Sequence, residues 1–102
     1  MFGACTAAYS VANQWNGGFQ GQVTVTVGSA PISSWTVTWA FPNGQSVTQI
    51  WSATESSSGS SVTAHNLSYN GSLAAGASTT FGFLGSWNGT NGVPSPVTCT
   101  AG

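Results

Sequence analysis

In the run FQGQVTVTV, residues 19 to 27, every second position is apolar or glycine: Phe19, Gly21, Val23, Val25 and Val27 alternate with Gln20, Gln22, Thr24 and Thr26. A period of two places the first set on one face of an extended strand and the second set on the other. SWTVTWAF repeats the pattern, with Trp35, Val37, Trp39 and Phe41 inward and Ser34, Thr36, Thr38 and Ala40 outward. TTFGFL sets Phe81 beside Phe83, and VPSPVTCT pairs Val97 with Cys99. No stretch carries a helical apolar period, so the class is all-β. Turn signals separate the runs: NGG at 16 to 18, PNG at 42 to 44, SSSGSS at 56 to 61, YNG at 69 to 71, AAGAS at 74 to 78 and NGTNG at 88 to 92. Short strands punctuated this often predict an antiparallel β-sandwich, jelly-roll or immunoglobulin-like, formed by one domain over residues 1–102. The serine run is expected to be a loop.

Charge is almost missing. The 102 residues include no Lys, Arg or Asp, a single carboxylate (Glu55) and a single imidazole (His65). Low charge combined with abundant aromatics argues for a folded chain rather than a disordered one. Phosphate backbones and anionic membranes are gripped by clustered Lys and Arg, so neither nucleic acid nor a membrane surface is an expected partner. No apolar run approaches membrane-spanning length, and MFGACTAAYS lacks a basic region followed by an apolar one. Met1 reads as a start residue placed before a mature domain, which leaves room for a signal peptide already removed from a secreted protein.

Cys5 and Cys99 are the only cysteines, one near each end. In a cytosolic protein they would be ordinary buried thiols; in a small secreted domain they read as a disulfide that brings the terminal strands together. Two Cys and one His supply a metal site by count alone, but there is no CxxC spacing, and neither metal nor cofactor is expected.

Five Trp, two Tyr and five Phe are more than one small core needs. Trp35, Trp39, Phe19, Phe41, Phe81 and Phe83 fall in phase with core positions. Trp15, in NQWNGG, is surrounded by amides and glycines, with no apolar neighbour sharing its strand. Trp51 shares a strand face with Gln49, opposite Ile50, and Tyr69 immediately precedes the Asn70-Gly71 turn. Each alone fits an incidental surface aromatic or a lid on the core; together they fit a shared aromatic face. Trp87 either extends that face or covers one end of the sandwich, the second being the reading taken. Flat aromatics beside amides suit a sugar ring, whose C–H faces lie on the π-cloud while Asn and Gln meet its hydroxyls. If each stack contributes about 1 to 3 kcal/mol, as for bases on aromatics, three give about 3 to 9, against about 8 for a micromolar complex. Useful affinity then needs rigid partners on both sides.

The segments NQWNGGF, SWTVTWAFPNGQSVTQIW, SYNGSLAAGASTTFGF and GSWNGTNGVPSPVTCT resemble, in order and spacing, the family 2 carbohydrate-binding modules attached to bacterial cellulases and xylanases. The resemblance covers nearly the whole chain, including the terminal Cys pair. It implies a secreted, monomeric β-sandwich that catalyses nothing and anchors a covalently attached glycoside hydrolase to cellulose. Carried over by position, it implies that Trp15, Trp51 and Tyr69 form a planar strip that stacks on cellulose, flanked by Asn13 and Gln49, with Gln22 as a further amide. Many cellulose-binding relatives have Trp at the third place, so Tyr69 is expected to stack more weakly. Thr80 and Leu84 stand where amides are expected. Gly18 occupies a position where xylan-binding relatives tend to carry an Arg that turns the first Trp out of plane, which implies a flat strip here and crystalline cellulose as ligand. Near-total loss of charge departs from the family pattern.

Three other functions compete. Glycoside hydrolysis usually needs two carboxylates, and only Glu55 is present. A Ser–His–Glu triad from His65 and Glu55 has no nucleophile elbow, and a copper held by two His is excluded by count. Glu55 reads as a solvated loop charge and His65 as a strand residue facing water or a neighbouring loop. Chitin or xylan remain alternative ligands, and an immunoglobulin-like protein-interaction domain would share the sandwich and the disulfide. NLS at 66, NGS at 70 and NGT at 88 are N-glycosylation sequons; in a eukaryotic host a sugar on Asn70 would stand beside Tyr69 and block the strip.

Overall fold

The computed structural model describes residues 5–94 and 97–101; Met1 lies outside them. Eight strands run β1 (Cys5–Trp15), β2 (Gly18–Val27), β3 (Trp35–Ala40), β4 (Ser46–Trp51), β5 (Thr54–Ser58), β6 (Ser61–His65), β7 (Ser78–Ser86) and β8 (Thr98–Ala101). They form two four-stranded sheets, ordered β1-β2-β7-β4 and β5-β6-β3-β8, with every pairing antiparallel. Among the described residues there is no helix. The sandwich expected from the alternation is the one found.

The inner faces carry the in-phase residues. Phe19, Val23, Val25, Val27, Phe81 and Phe83 from the first sheet meet Trp35, Val37, Trp39, Val62 and Ala64 from the second, all buried. Aromatic rings cross the interface in pairs: Trp35 stacks on Phe81 at 5.4 Å and 11°, and Trp39 stacks on Phe83 at 5.6 Å and 25°. Such pairs add to the burial of their area, typically about 0.5 to 1.5 kcal/mol each. Tyr9 joins this layer from β1, half-buried against Trp39 and Phe83. Cys5 and Cys99 are disulfide-bonded across the edges of the two sheets. Closing a span of 94 residues stabilises the fold by about 4 to 5 kcal/mol in the chain-entropy model.

Two expectations fail here. The serine run is not a loop: β5 and β6 form a hairpin through Gly59 (φ +62) and Ser60. Serine carries no burial signature, yet an edge strand needs few apolar contacts; Val62 and Ala64 of β6 hold the hairpin to the core. Glu55 is therefore a strand residue, half-buried, paired with Ala64 and bonded by the Ser57 hydroxyl. An inward-pointing charge on an edge strand is one way sheets resist edge-to-edge pairing. His65 ends β6, exposed, with Nδ1 3.1 Å from Thr36 Oγ1.

Candidate functional site

Trp15 does share its strand with apolar residues, contrary to the local pattern: Tyr9 and Val11 precede it in β1 and face the core. Continued alternation from Val11 would turn Trp15 inward. A register shift between Val11 and Asn13 absorbs Ala12, so Val11 pairs with Gly21, Asn13 pairs with Gln20, and Trp15 pairs with Gly18 on the outer face. The opposite edge repeats the device. In β4 a shift between Val47 and Gln49 absorbs Thr48, leaving Val47 opposite Gly85, Gln49 opposite Leu84, and Trp51 opposite Gly82. Bulges of this kind re-aim side chains and twist edge strands.

The registers of the four strands combine into rows across the outer face of the first sheet. One row runs Trp15, Gly18, Ser86, Ser46; the next Asn13, Gln20, Leu84, Gln49; the third Ser10, Gln22, Gly82, Trp51. None of these residues is charged. Rows on one face lie two residues apart, so Gly18 and Gly82, on adjacent strands, are separated by about 13 Å along the strands and about 5 Å across them.

Each indole folds from its edge strand toward the middle of the sheet and covers the glycine opposite it. A Cβ at Gly18 would collide with Trp15 Nε1, and a Cβ at Gly82 would lie 2.6 Å from Trp51 Cε2, Cζ2 and Nε1. Both glycines are buried although they face outward, whereas the indoles remain 44% and 39% exposed. Glycine is the residue that permits such close approach within a strand. Trp87 fixes the turn beneath Trp15: its Nε1 donates to the carbonyls of Trp15 and Gly18, both at 2.9 Å, and its ring packs half-buried against the core. It is not among the exposed aromatics of the face.

Tyr69 is 72% exposed in the loop between β6 and β7. Its neighbour Asn70 is buried. Asn70 Nδ2 donates to the Ser52 carbonyl at 2.6 Å, its Oδ1 accepts from Leu67 N at 2.7 Å, and its own carbonyl accepts from Trp35 Nε1 at 2.8 Å. Asn70 thereby ties the loop bearing Tyr69 to Ser52, the residue after Trp51, which sits at φ +64. With its amide engaged this way, a sugar on Asn70 would break these contacts of the folded domain, a cost that the sequon alone does not reveal.

Asn13, Gln22 and Gln49 are exposed on the same face as the two indoles. Thr80 and Leu84 stand on it where amides were expected, Thr80 at a hydroxyl distance of 3.4 Å from Thr24. Gln20, centred between the indoles beside Leu84, is a further face residue, in parity with Gln22. A second unforeseen element is an amide network centred on buried Gln45. Gln45 Oε1 accepts from Asn43 N, its Nε2 donates to Asn91 Oδ1 and to the Gly92 carbonyl, and Asn91 Nδ2 reaches Gln14 Oε1 at 3.0 Å. No group of three or more His, Cys, Asp or Glu side chains gathers among the described residues.

A β-sandwich presenting flat indoles and amides on an uncharged outer face is the architecture of a non-catalytic carbohydrate-binding module. Residues 5–102 match the family model described as "Cellulose binding domain", and the chain belongs to this family, the family 2 carbohydrate-binding modules. It is 56% identical over 99 residues to endoglucanase A of Thermobispora bispora, covering 96% of this chain and 21% of that protein. The chain thus spans about a fifth of that relative. Among solved structures, the chitin-binding domain of Chi18aC from Streptomyces coelicolor is similar with a TM-score of 0.78 and 42% identity, covering 99% of this chain and 94% of that one. The cellulose-binding family 2 domain of ScLPMO10C is similar with a TM-score of 0.77 and 33% identity over the whole of both chains.

Proposed function

We propose that the outer face of the first sheet binds crystalline cellulose, with Trp15, Trp51 and Tyr69 as the stacking plates and Asn13, Gln22 and Gln49 as the polar contacts. The observation that carries this reading is the pair of indoles laid over Gly18 and Gly82 on one face. Plates pressed against the sheet suit a flat ribbon held in a crystal, and their diagonal placement gives a path running nearly along β2 and β7. Rigidity on both sides keeps the ordering cost of binding low. Tyr69, whose neighbour Asn70 bonds to the residue after Trp51, would extend the path past Trp51, where a smaller ring contributes less. The chain would act as one secreted, monomeric module over residues 1–102, anchoring a covalently attached glycoside hydrolase. Its match to about a fifth of an endoglucanase supports that arrangement.

Chitin is a second reading, supported by one feature of the face. Leu84 sits between Gln20 and Gln49, where its apolar side chain offers contact to an acetamido methyl that cellulose lacks. Xylan and a protein-interaction role have no comparable observation in their favour.

Depletion isotherms on microcrystalline cellulose, chitin and insoluble xylan, for the parent and for Trp15→Ala and Trp51→Ala, test the assignment. Each substitution is expected to weaken retention on cellulose by on the order of ten- to a hundredfold, following stacking energies of about 1 to 3 kcal/mol. Retention should change little between low and high salt, because no charged contact is screened. Unchanged retention in both variants, or a steep salt slope, overturns the reading.

A further inference from the structure

We propose that Gly82 is a specificity-determining residue: the absence of a side chain there holds Trp51 flat, and so equips this end of the face for planar, crystalline surfaces. This role presupposes that the face stacks on a polysaccharide. Nothing about strand formation calls for glycine at 82. It lies inside β7, a central strand of the first sheet, where glycine weakens the strand relative to residues with side chains. The two glycines of β7 differ in what confines them. A Cβ at Gly85 would meet the Phe19 ring and the backbone carbonyl of Ser46, so that glycine is a packing requirement. At Gly82 the three nearest atoms all belong to the Trp51 indole. The nearest group that a Cβ at 82 would meet is therefore an exposed ring.

The backbone under that ring leaves it one way to respond. Trp51 ends β4, paired with Gly82, and the next residue, Ser52, is held through its carbonyl by buried Asn70. The strand end stays put while the indole rotates about its side-chain torsions and stands away from the sheet. A tilted ring still offers a face to a single soluble chain, which can bend to meet it. A crystal surface cannot bend, so the tilted ring breaks the common plane with Trp15.

The test compares Gly82→Ala and Gly82→Val with the parent, each also in a Trp51→Ala background. Readouts are isotherms on microcrystalline cellulose, titration with soluble cellohexaose, and thermal unfolding. Gly82→Val is expected to lower crystalline affinity on the order of tenfold, about as far as loss of one stacked ring. Cellohexaose affinity should stay within about twofold of the parent, and the thermal midpoint should not fall. In the Trp51→Ala background both substitutions should be silent. Parent-like crystalline binding by Gly82→Val, parallel loss on cellohexaose, the same loss without Trp51, or a collapsed midpoint in both Gly82 variants would each overturn the assignment. If Trp51→Ala alone binds like the parent, it is the cellulose reading that fails.

Discussion

The side-chain amide of Asn70 donates to the backbone carbonyl of Ser52 at 2.6 Å, so the residue after one exposed aromatic and the residue after another are joined by a part-buried hydrogen bond. Trp51 and Tyr69 sit on different elements, and this bond fixes their relation. Asn70→Ala removes it together with the bond from Leu67 N, and strands the Ser52 carbonyl. At about 1 kcal/mol per neutral bond and more for a buried group left unpaired, the expected loss is about 2 to 4 kcal/mol. Thermal unfolding reads that loss. Cellulose isotherms of the folded variant should approach those of Tyr69→Ala; parent-like isotherms would mean that the bond does not position Tyr69.

The same burial decides where sugar is tolerated. Asn66 accepts from Trp35 N through its side chain and donates to the Leu67 carbonyl, and Asn70 is fully engaged, whereas Asn88 is exposed. When the chain is secreted from a eukaryotic host, peptide mass spectrometry of the folded product should find glycan at Asn88 and none at Asn66 or Asn70. Glycan at Asn70 in material that still unfolds cooperatively would contradict this.

Much of the architecture was legible because burial and period two coincide in Phe19 to Val27 and in Trp35 to Phe41, where each inward side chain is large. Trp15 and Trp51 were legible through their amide neighbours. The serine hairpin was hidden because the inward positions of β5, Glu55 and Ser57, are not apolar, and Asn70 and Gln45 were hidden because hydrogen bonding, not hydrophobicity, buries them. The platform glycines were hidden for another reason: a glycine in a strand does not reveal what covers it until the register places Trp15 opposite Gly18 and Trp51 opposite Gly82.

The bulges lead to a prediction against intuition. Removing a residue from a strand normally turns every following side chain to the other face. Ala12 is already outside the pairing, with Val11 and Asn13 matched to Gly21 and Gln20. Deleting Ala12 should therefore leave Trp15 outward, with cellulose affinity within about threefold of the parent, since the lost bulge costs local twist alone. Trp15→Ala in the shortened chain should still weaken binding. If it has no effect there, the deletion has turned Trp15 away.

Tyr9 supplies a test on pH. Its Oη and the Nε1 of Trp39 are buried polar atoms without a hydrogen-bond partner among the described residues, and burial pushes the Tyr9 phenol well above its usual value near 10. The folded state therefore keeps the proton at pH values where the unfolded chain has released it. By linkage the unfolded state then binds fewer protons, and stability falls as pH rises past about 10. Below that the phenol is neutral in both states and adds no slope. Tyr9→Phe removes both the titration and the orphaned hydroxyl. Because an unsatisfied buried hydroxyl costs about 1 to 3 kcal/mol, the variant should match or exceed the parent in stability at neutral pH, and its advantage should widen from pH 9 to 11. Denaturant unfolding of the pair across that range decides the matter: a variant less stable than the parent, with the gap constant in pH, would mean that the Tyr9 hydroxyl is satisfied in solution.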